Sequence, residues 1–77
     1  MSEFPSMKAS ALLRVLKRDP LAYQEVRPAG SHRRLKAAGR PPLTWAYHDR
    51  RTLSSDEVRR VLVAQVGLEE EEALGLL

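Results

Sequence analysis

The residues with the clearest chemistry form one short run, in which His32 directly follows Gly30-Ser31 and is itself followed by Arg33, Arg34 and Lys36. Each cation disfavours a low-dielectric environment for its neighbours, so the run predicts a wet, positively charged surface. Cleaving RNA without a metal needs a group that takes the proton of a ribose 2′-hydroxyl, and imidazole is the side chain that titrates closest to neutrality. His32 would be the general base of such a reaction. The alternative is a turn histidine that caps the chain locally.

The groups around His32 suit contact with a phosphodiester. Arg34 and Lys36 are predicted to hold the scissile phosphate and to stabilise its developing charge. Ser31 would either hydrogen-bond a phosphate oxygen or close the turn. His48 would be either the acid for the leaving 5′-oxygen or a structural histidine bonded to backbone at the end of a strand. The remaining predicted RNA contacts are cations beside the two histidines: Arg33, Arg50 and Arg51.

Metal and cofactor chemistry fit the sequence less well. Two histidines and no cysteine fall short of the three protein ligands that a catalytic zinc site needs, although Asp49 beside His48 leaves one further ligand available. No glycine-rich loop that could cradle a phosphate is visible, and no cofactor is expected. Trp45 and Tyr47 would either stack on bases or, as the alternation of a small domain favours, lie in the core.

The distribution of charge favours a polyanionic partner. The chain has 77 residues and a net charge of +3, and all 13 of its Lys and Arg residues fall between Lys8 and Arg60. Residues 4–68 carry 13 cations against five acids, a balance of +8, whereas residues 69–77 carry −4. Such a basic body attracts nucleic acid through counterion release. A generic basic surface is the alternative, and a DNA-binding role rests on charge alone.

The hydrophobic pattern predicts an α+β domain in the order helix, three strands, helix. "SMKASALLRVLKRD" is predicted to be a helix capped by Ser6, and "SSDEVRRVLVAQV" a second helix capped by Ser54 or Ser55. Between them, "LAYQEVR" predicts a strand, and "HRRLKA" and "LTWAYH" predict a hairpin joined by "AGRPP". "LEEEEALGLL" predicts a short third helix whose glutamates form a solvated face. A single domain spans residues 1–77, with its core in 7–68 and an acidic extension in 69–77.

Strand alternation decides which side chains share a face of the predicted sheet. The apolar side chains fall on one side of each hairpin strand, namely Leu35 and Ala37 in the first and Leu43, Trp45 and Tyr47 in the second. If both helices pack on this side, the polar side chains gather on the other, open side of the sheet: His32, Arg34, Lys36, Thr44 and His48.

Several of these stretches together resemble the HicA family of bacterial toxins. The resemblance covers residues 7–68 and rests on Met7-Lys8 with the helix "ASALLRVLKRD", on "GSH" at residues 30–32, on the hairpin ending in His48, and on "LSSDEVRRVLVAQVGL". It implies a fold like a double-stranded-RNA-binding domain, with two helices on one face of a three-stranded antiparallel sheet. It also implies an mRNA interferase, a metal-independent endoribonuclease that acts on mRNA and is silenced by a HicB-like antitoxin.

The sequence leaves one runner-up for function and favours one compartment. A non-catalytic RNA-binding module of the same fold would use His32 only to contact phosphate. The start "MSEFPSMK" has an acid and a proline where a secretory signal needs a basic and then an apolar segment. No apolar run approaches the length of a membrane span. We therefore expect a cytoplasmic protein without a membrane partner.

Overall fold

The chain folds as a small α+β domain with a three-stranded antiparallel sheet and three helices. A computed structural model describes the backbone of residues 3–29 and 32–77 and the side chains of residues 3–26 and 32–77. The elements follow in the order β1 (Met7–Lys8), α1 (Ala9–Lys17), β2 (Gln24–Ala29), β3 (His32–Lys36), β4 (Leu43–Trp45), β5 (Thr52–Leu53), α2 (Ser55–Arg59), a π-helical segment (Arg60–Gln65) and α3 (Glu70–Gly75). The predicted α+β class, helix order and three-stranded sheet are confirmed.

Helix α1 forms because its apolar side chains recur at helical spacing, so that one face is buried. Ala9, Leu12 and Leu16 are fully buried on this face. The predicted N-cap at Ser6 is wrong, because the helix begins after Lys8 and has no side-chain cap. Its first amides are satisfied instead by a distant loop: the Ala9 N–H donates to the Arg51 carbonyl at 2.8 Å, and the Ser10 N–H donates to the Asp49 carbonyl at 3.3 Å.

The three-stranded sheet has the order β2-β3-β4, with both neighbouring pairs antiparallel. A shift of register between Glu25 and Arg27 makes Val26 the extra residue of a β-bulge, and its side chain is 54% exposed. The turn that joins β3 to β4 uses Gly39 at φ +72°, as the predicted hairpin requires.

The third predicted strand is shorter than expected. Strand β4 ends at Trp45, not at His48, and the three residues that follow have no strand pairing. The Tyr47 ring packs edge-on against Trp45, with the centroids 5.1 Å apart. A hydrogen bond of 3.0 Å from the Arg51 N–H to the His48 carbonyl closes the next turn. The prediction that strand alternation places His48 on the open side of the sheet is therefore wrong.

Two further strands were not predicted. β1 and β5 form a separate antiparallel pair, in which Met7 stands opposite Leu53 and Lys8 opposite Thr52. Each strand has two residues, too few for a period-two pattern to be visible in the sequence. The pair ties the segment before α1 to the segment before α2.

The second helix begins with the capping box that the sequence contains. The Ser54 hydroxyl accepts a hydrogen bond from the Glu57 N–H at 3.2 Å, and the Ser54 N–H donates to the Glu57 carboxylate at 3.0 Å. Beyond Arg59 the helix widens into the π-helical segment, and the Val66 N–H donates to the Val61 carbonyl at 2.9 Å. Gly67, at φ +90°, ends it.

One hydrophobic cluster joins the helices to a single face of the sheet. Leu35 and Leu43 of the sheet and Leu12 and Leu62 of the helices are at most 3% exposed. The predicted third helix is present and buries Ala73 against this cluster, while Glu69–Glu72 stay exposed as predicted. Within residues 3–29 and 32–77, no helix is long and apolar enough to span a membrane.

Candidate nucleic-acid interface

The side of the sheet away from the helices carries a row of exposed polar side chains. His32, Arg34 and Lys36 are exposed on β3, whereas Leu35 between them is fully buried. Cross-strand pairing adds Thr44 beside Arg34 and Gln24 beside Lys36. These five residues are called the open face below. Successive cationic positions on β3 are two residues, or about 7 Å, apart.

The charge of the open face is positive. Its five defining residues include two cations and no carboxylate. Glu25, the acid of β2, pairs with buried Leu35 and so belongs to the opposite side of the sheet. Lys36 forms no ion pair with any described side chain. The row therefore presents uncompensated positive charge to a ligand.

Arg34 is fixed in place within this row. Its guanidinium donates a hydrogen bond of 3.2 Å to the Thr44 hydroxyl on the neighbouring strand. A guanidinium has five N–H donors, so this bond leaves most of them available to an anion. Arg34 thus combines an ordered side chain with free donors.

His32 lies at the end of the β2–β3 hairpin, where its backbone pairs with Ala29. The side chain is exposed. No described side chain forms a hydrogen bond or ion pair with its imidazole. Ser31, a predicted RNA contact, and Gly30 before it lie outside the described residues.

Arg33 is separated from the open face. It stands opposite buried Trp45, on the side of the sheet that the helices cover. Its guanidinium lies 3.5 Å from the Glu25 carboxylate and 3.6 Å from the Asp49 carboxylate, and Glu25 in turn lies 3.5 Å from the Lys17 ammonium. These half-exposed ion pairs each contribute on the order of 0–1 kcal/mol. Arg33 therefore connects β3 to β2 and to the loop after β4. It does not extend the row formed by His32, Arg34 and Lys36.

His48, Arg50 and Arg51 occupy the loop between β4 and β5. All three are exposed. The loop is fastened to α1 by the amide bonds described above and by the Lys8 ammonium, which donates to the Arg50 carbonyl at 3.2 Å. It lies at the N-terminus of α1, so the sheet register does not bring these residues together with His32.

Arg51 is engaged within the protein. Its guanidinium lies over the Tyr47 ring, 5.1 Å from the centroid, and bonds the Glu57 carboxylate at 2.6 Å. The pKa of Glu57 is lowered chiefly by the hydrogen bond from the Ser54 backbone; desolvation opposes this shift, and the charge of Arg51 adds a weaker lowering effect. Arg51 thus links the loop to the start of α2.

One cross-strand pairing was missed in the sequence. In the strand register, Arg27 stands opposite Arg34. Without the bulge, Val26 would occupy that place. Because a bulge shifts the register by one residue and no residue type requires one at Val26, the sequence contains no signal for this pairing.

Neither a metal-ligand cluster nor similarity to known proteins identifies a further role for these residues. Within the described residues, no group of three or more His, Asp or Glu side chains could hold a metal ion. Comparisons with protein-family models, curated proteins and solved structures find no match to this chain.

Proposed function

We propose that this chain is a metal-independent endoribonuclease of the HicA type, with a fold like a double-stranded-RNA-binding domain. One observation carries the proposal. An exposed imidazole, His32, stands in line with Arg34 and Lys36 on a face whose defining residues include no carboxylate. This arrangement combines a proton acceptor with the cations that a phosphodiester needs.

The reaction follows from these three side chains. His32 takes the proton of a ribose 2′-hydroxyl, and the resulting oxygen attacks the adjacent phosphorus. The bond from phosphorus to the 5′-oxygen breaks, and that oxygen takes a proton from water. Arg34 and Lys36 stabilise the additional charge on the phosphoryl oxygens. His48 and Arg50, exposed on the following loop, extend the contacts to the RNA.

The proposed partners are mRNA and a HicB-like antitoxin, in the cytoplasm. A basic open face attracts both RNA and an acidic protein, since complementary charge favours encounter with either. We therefore place the antitoxin over Arg34 and Lys36, where it excludes RNA. A complex that leaves both side chains accessible to RNA would contradict this placement.

The substitution His32→Ala tests the enzyme assignment. We expect cleavage of a labelled RNA to slow by about 10²- to 10⁴-fold, the usual contribution of one acid–base group. The melting temperature should stay unchanged, because the side chain is exposed and leaves no cavity. His48→Ala, which removes a proposed RNA contact but not the base, should lose less activity. Cleavage at the parental rate by His32→Ala, with a chelator present, would refute the mechanism.

A non-catalytic RNA-binding module is the second candidate. Catalytic histidines commonly have a neighbouring group that orients the imidazole. No described side chain does this for His32, which favours the second candidate. Turnover separates the two candidates, because only an enzyme consumes RNA supplied in molar excess. Tight binding without turnover would assign the open face to binding alone.

A further inference from the structure

A groove lies at the end of the open face farthest from His32. It separates the turn after α1 from the start of the β3–β4 turn and has a volume of about 410 Å³. Ligand sites begin at roughly 300 Å³, so the groove can admit a small planar group. The residues that line it include Pro20, Leu21, Ala22, Gln24, Lys36 and Ala38.

The wall formed by the turn after α1 is held in place. Ala22 has φ +55°, a left-handed conformation that is uncommon for a residue other than glycine. Its N–H donates to the Arg18 carbonyl at 2.9 Å, and the Tyr23 N–H donates to the Leu16 carbonyl at 2.9 Å. These bonds fix the turn, so the groove is formed before any ligand arrives.

The chemistry of the groove suits a nucleobase. Pro20, Ala22 and Ala38 provide apolar walls, while the exposed Gln24 amide offers both donors and an acceptor for the edge of a base. Lys36 stands at the junction with the open face, and none of the residues that line the groove is acidic. The charge therefore favours a ligand that carries phosphate.

No phenylalanine, tyrosine or tryptophan ring among the described residues is available on the open face for a base to stack on. The four aromatic side chains of the chain all lie in the described part of the structure. Three are at most 5% exposed, and the fourth, Tyr47, packs against the core. A base beside the cationic row must find its apolar contact elsewhere, and the groove provides that contact next to Lys36.

We propose that this groove binds one nucleobase of an RNA strand whose backbone lies along the open face, an inference that rests on the proposed RNA-binding function. The Gln24 amide bonds the edge of the base, and Lys36 bonds a phosphate beside it. His32 and Lys36 are four residues apart on β3, about 13 Å. The bound base is therefore displaced along the strand from the phosphate that is cleaved.

A scan with abasic RNA tests the groove. Short single-stranded RNAs with 2′-fluoro sugars resist cleavage, and each carries one abasic site at a different position. Binding is measured to the parental protein and to Ala38→Leu, which fills the groove from an exposed turn. Gln24→Ala is a second variant that removes the amide, and Ala64→Leu, exposed on the π-helical segment, is the matched control.

One abasic position should weaken binding to the parental protein by about three- to tenfold, the equivalent of one net hydrogen bond. Ala38→Leu and Gln24→Ala should weaken binding of the intact RNA by a similar factor and lose sensitivity at that position, whereas Ala64→Leu should behave as the parent. Two results would refute the nucleobase site but not the RNA-binding function. In both, RNA binding depends on Arg34 and Lys36, but either no abasic position weakens binding or both variants keep the parental sensitivity. RNA that does not bind, or binds without dependence on these cations, would overturn the proposed function as well.

Discussion

The guanidinium of Arg34 donates a 3.2 Å hydrogen bond to the Thr44 hydroxyl, from the middle strand of the sheet to its neighbour. The two residues are direct partners in the register of β3 and β4. This bond restricts the arginine while its other donors stay exposed. Arg34 therefore loses less conformational freedom when it binds a phosphate than an unrestrained arginine would.

Thr44→Val should weaken RNA binding by about two- to tenfold, because binding must then immobilise a long side chain that was fixed before. The dependence of binding on salt should not change, since no charge is lost. Thr52→Val, at an exposed threonine of β5, is the matched control and should bind as the parent does. Fluorescence anisotropy with a non-cleavable RNA measures both. Equal losses for the two variants would show that the Arg34–Thr44 bond has no part in binding.

The affinity for single-stranded RNA should fall as salt rises, with a slope of log K against log salt of roughly −3 to −4 for four to six phosphate contacts. Arg34→Gln and Lys36→Gln should each reduce the slope by about 0.7, because each removes one phosphate contact. Arg60→Gln, at an exposed arginine of the π-helical segment, serves as the control. A slope that changes with Arg60 and not with Lys36 would place the RNA on the helical side.

The hydrophobic pattern was sufficient to predict the helices and strands in which buried apolar residues recur at regular spacing. Leu12 and Leu16 in α1, and Val58 and Leu62 in the second helix, recur at helical spacing and are buried as expected. The alternation around Leu35 likewise identified the exposed side of β3. Each of these predictions depends on a periodicity that a single segment contains by itself.

The predictions that failed depend on contacts between distant segments. Ser6 does not cap α1, because the carbonyls of Asp49 and Arg51 satisfy the first amides of that helix. The period-two pattern continues beyond Trp45, yet the strand stops there, and the loop that follows bonds the first turn of α1 through the Asp49 and Arg51 carbonyls. Neither arrangement follows from local spacing.

For the site, the sequence predicted that five polar side chains share one side of the sheet: His32, Arg34, Lys36, Thr44 and His48. The first three are exposed on β3 and Thr44 pairs with Arg34, whereas His48 lies beyond the end of β4. The sequence could not show that the neighbouring Arg33 is paired with Glu25 and Asp49, because both acids come from other segments. The roles of these residues in RNA cleavage stay predictions.

Gly67→Ala should destabilise the fold by about 1–2 kcal/mol, the cost of holding a residue with a Cβ in a left-handed conformation. Gly67 has φ +90°, and a Cβ built there meets no atom within 4 Å, so the loss reports backbone strain alone. Gly75→Ala is the matched control, because Gly75 lies in α3 without a positive φ and its Cβ would also meet open space. Thermal unfolding should show a loss for the first variant and no loss for the second. Equal melting temperatures would contradict the left-handed assignment.

Stability should decrease in acid partly through Glu57. Folding lowers the pKa of this carboxyl below its ordinary value of 4.5, chiefly through the hydrogen bond from the Ser54 backbone. The stabilisation is therefore complete above 4.5 and is lost as the pH falls through the lower native value. Glu57→Gln keeps an acceptor for the Ser54 N–H but cannot titrate, so its stability should depend less on pH below 4.5. Urea unfolding between pH 3 and pH 7 measures the difference, and parallel curves for the two proteins would contradict it.

The bond between the Ala9 amide and the Arg51 carbonyl spans 42 positions of the chain, as does the contact of the Lys8 ammonium with the Arg50 carbonyl. On the ribosome, the first turn of α1 therefore emerges long before the groups that complete it. An isolated helix of nine residues is too short to persist in water. The N-terminal segment thus stays without its native partners until residues 49–53 have left the exit tunnel, and only then can β1 pair with β5. Pairing of β1 with β5 therefore waits for this later segment, and the core is completed only when Leu62 and Ala73 of the helices that follow it are also in place.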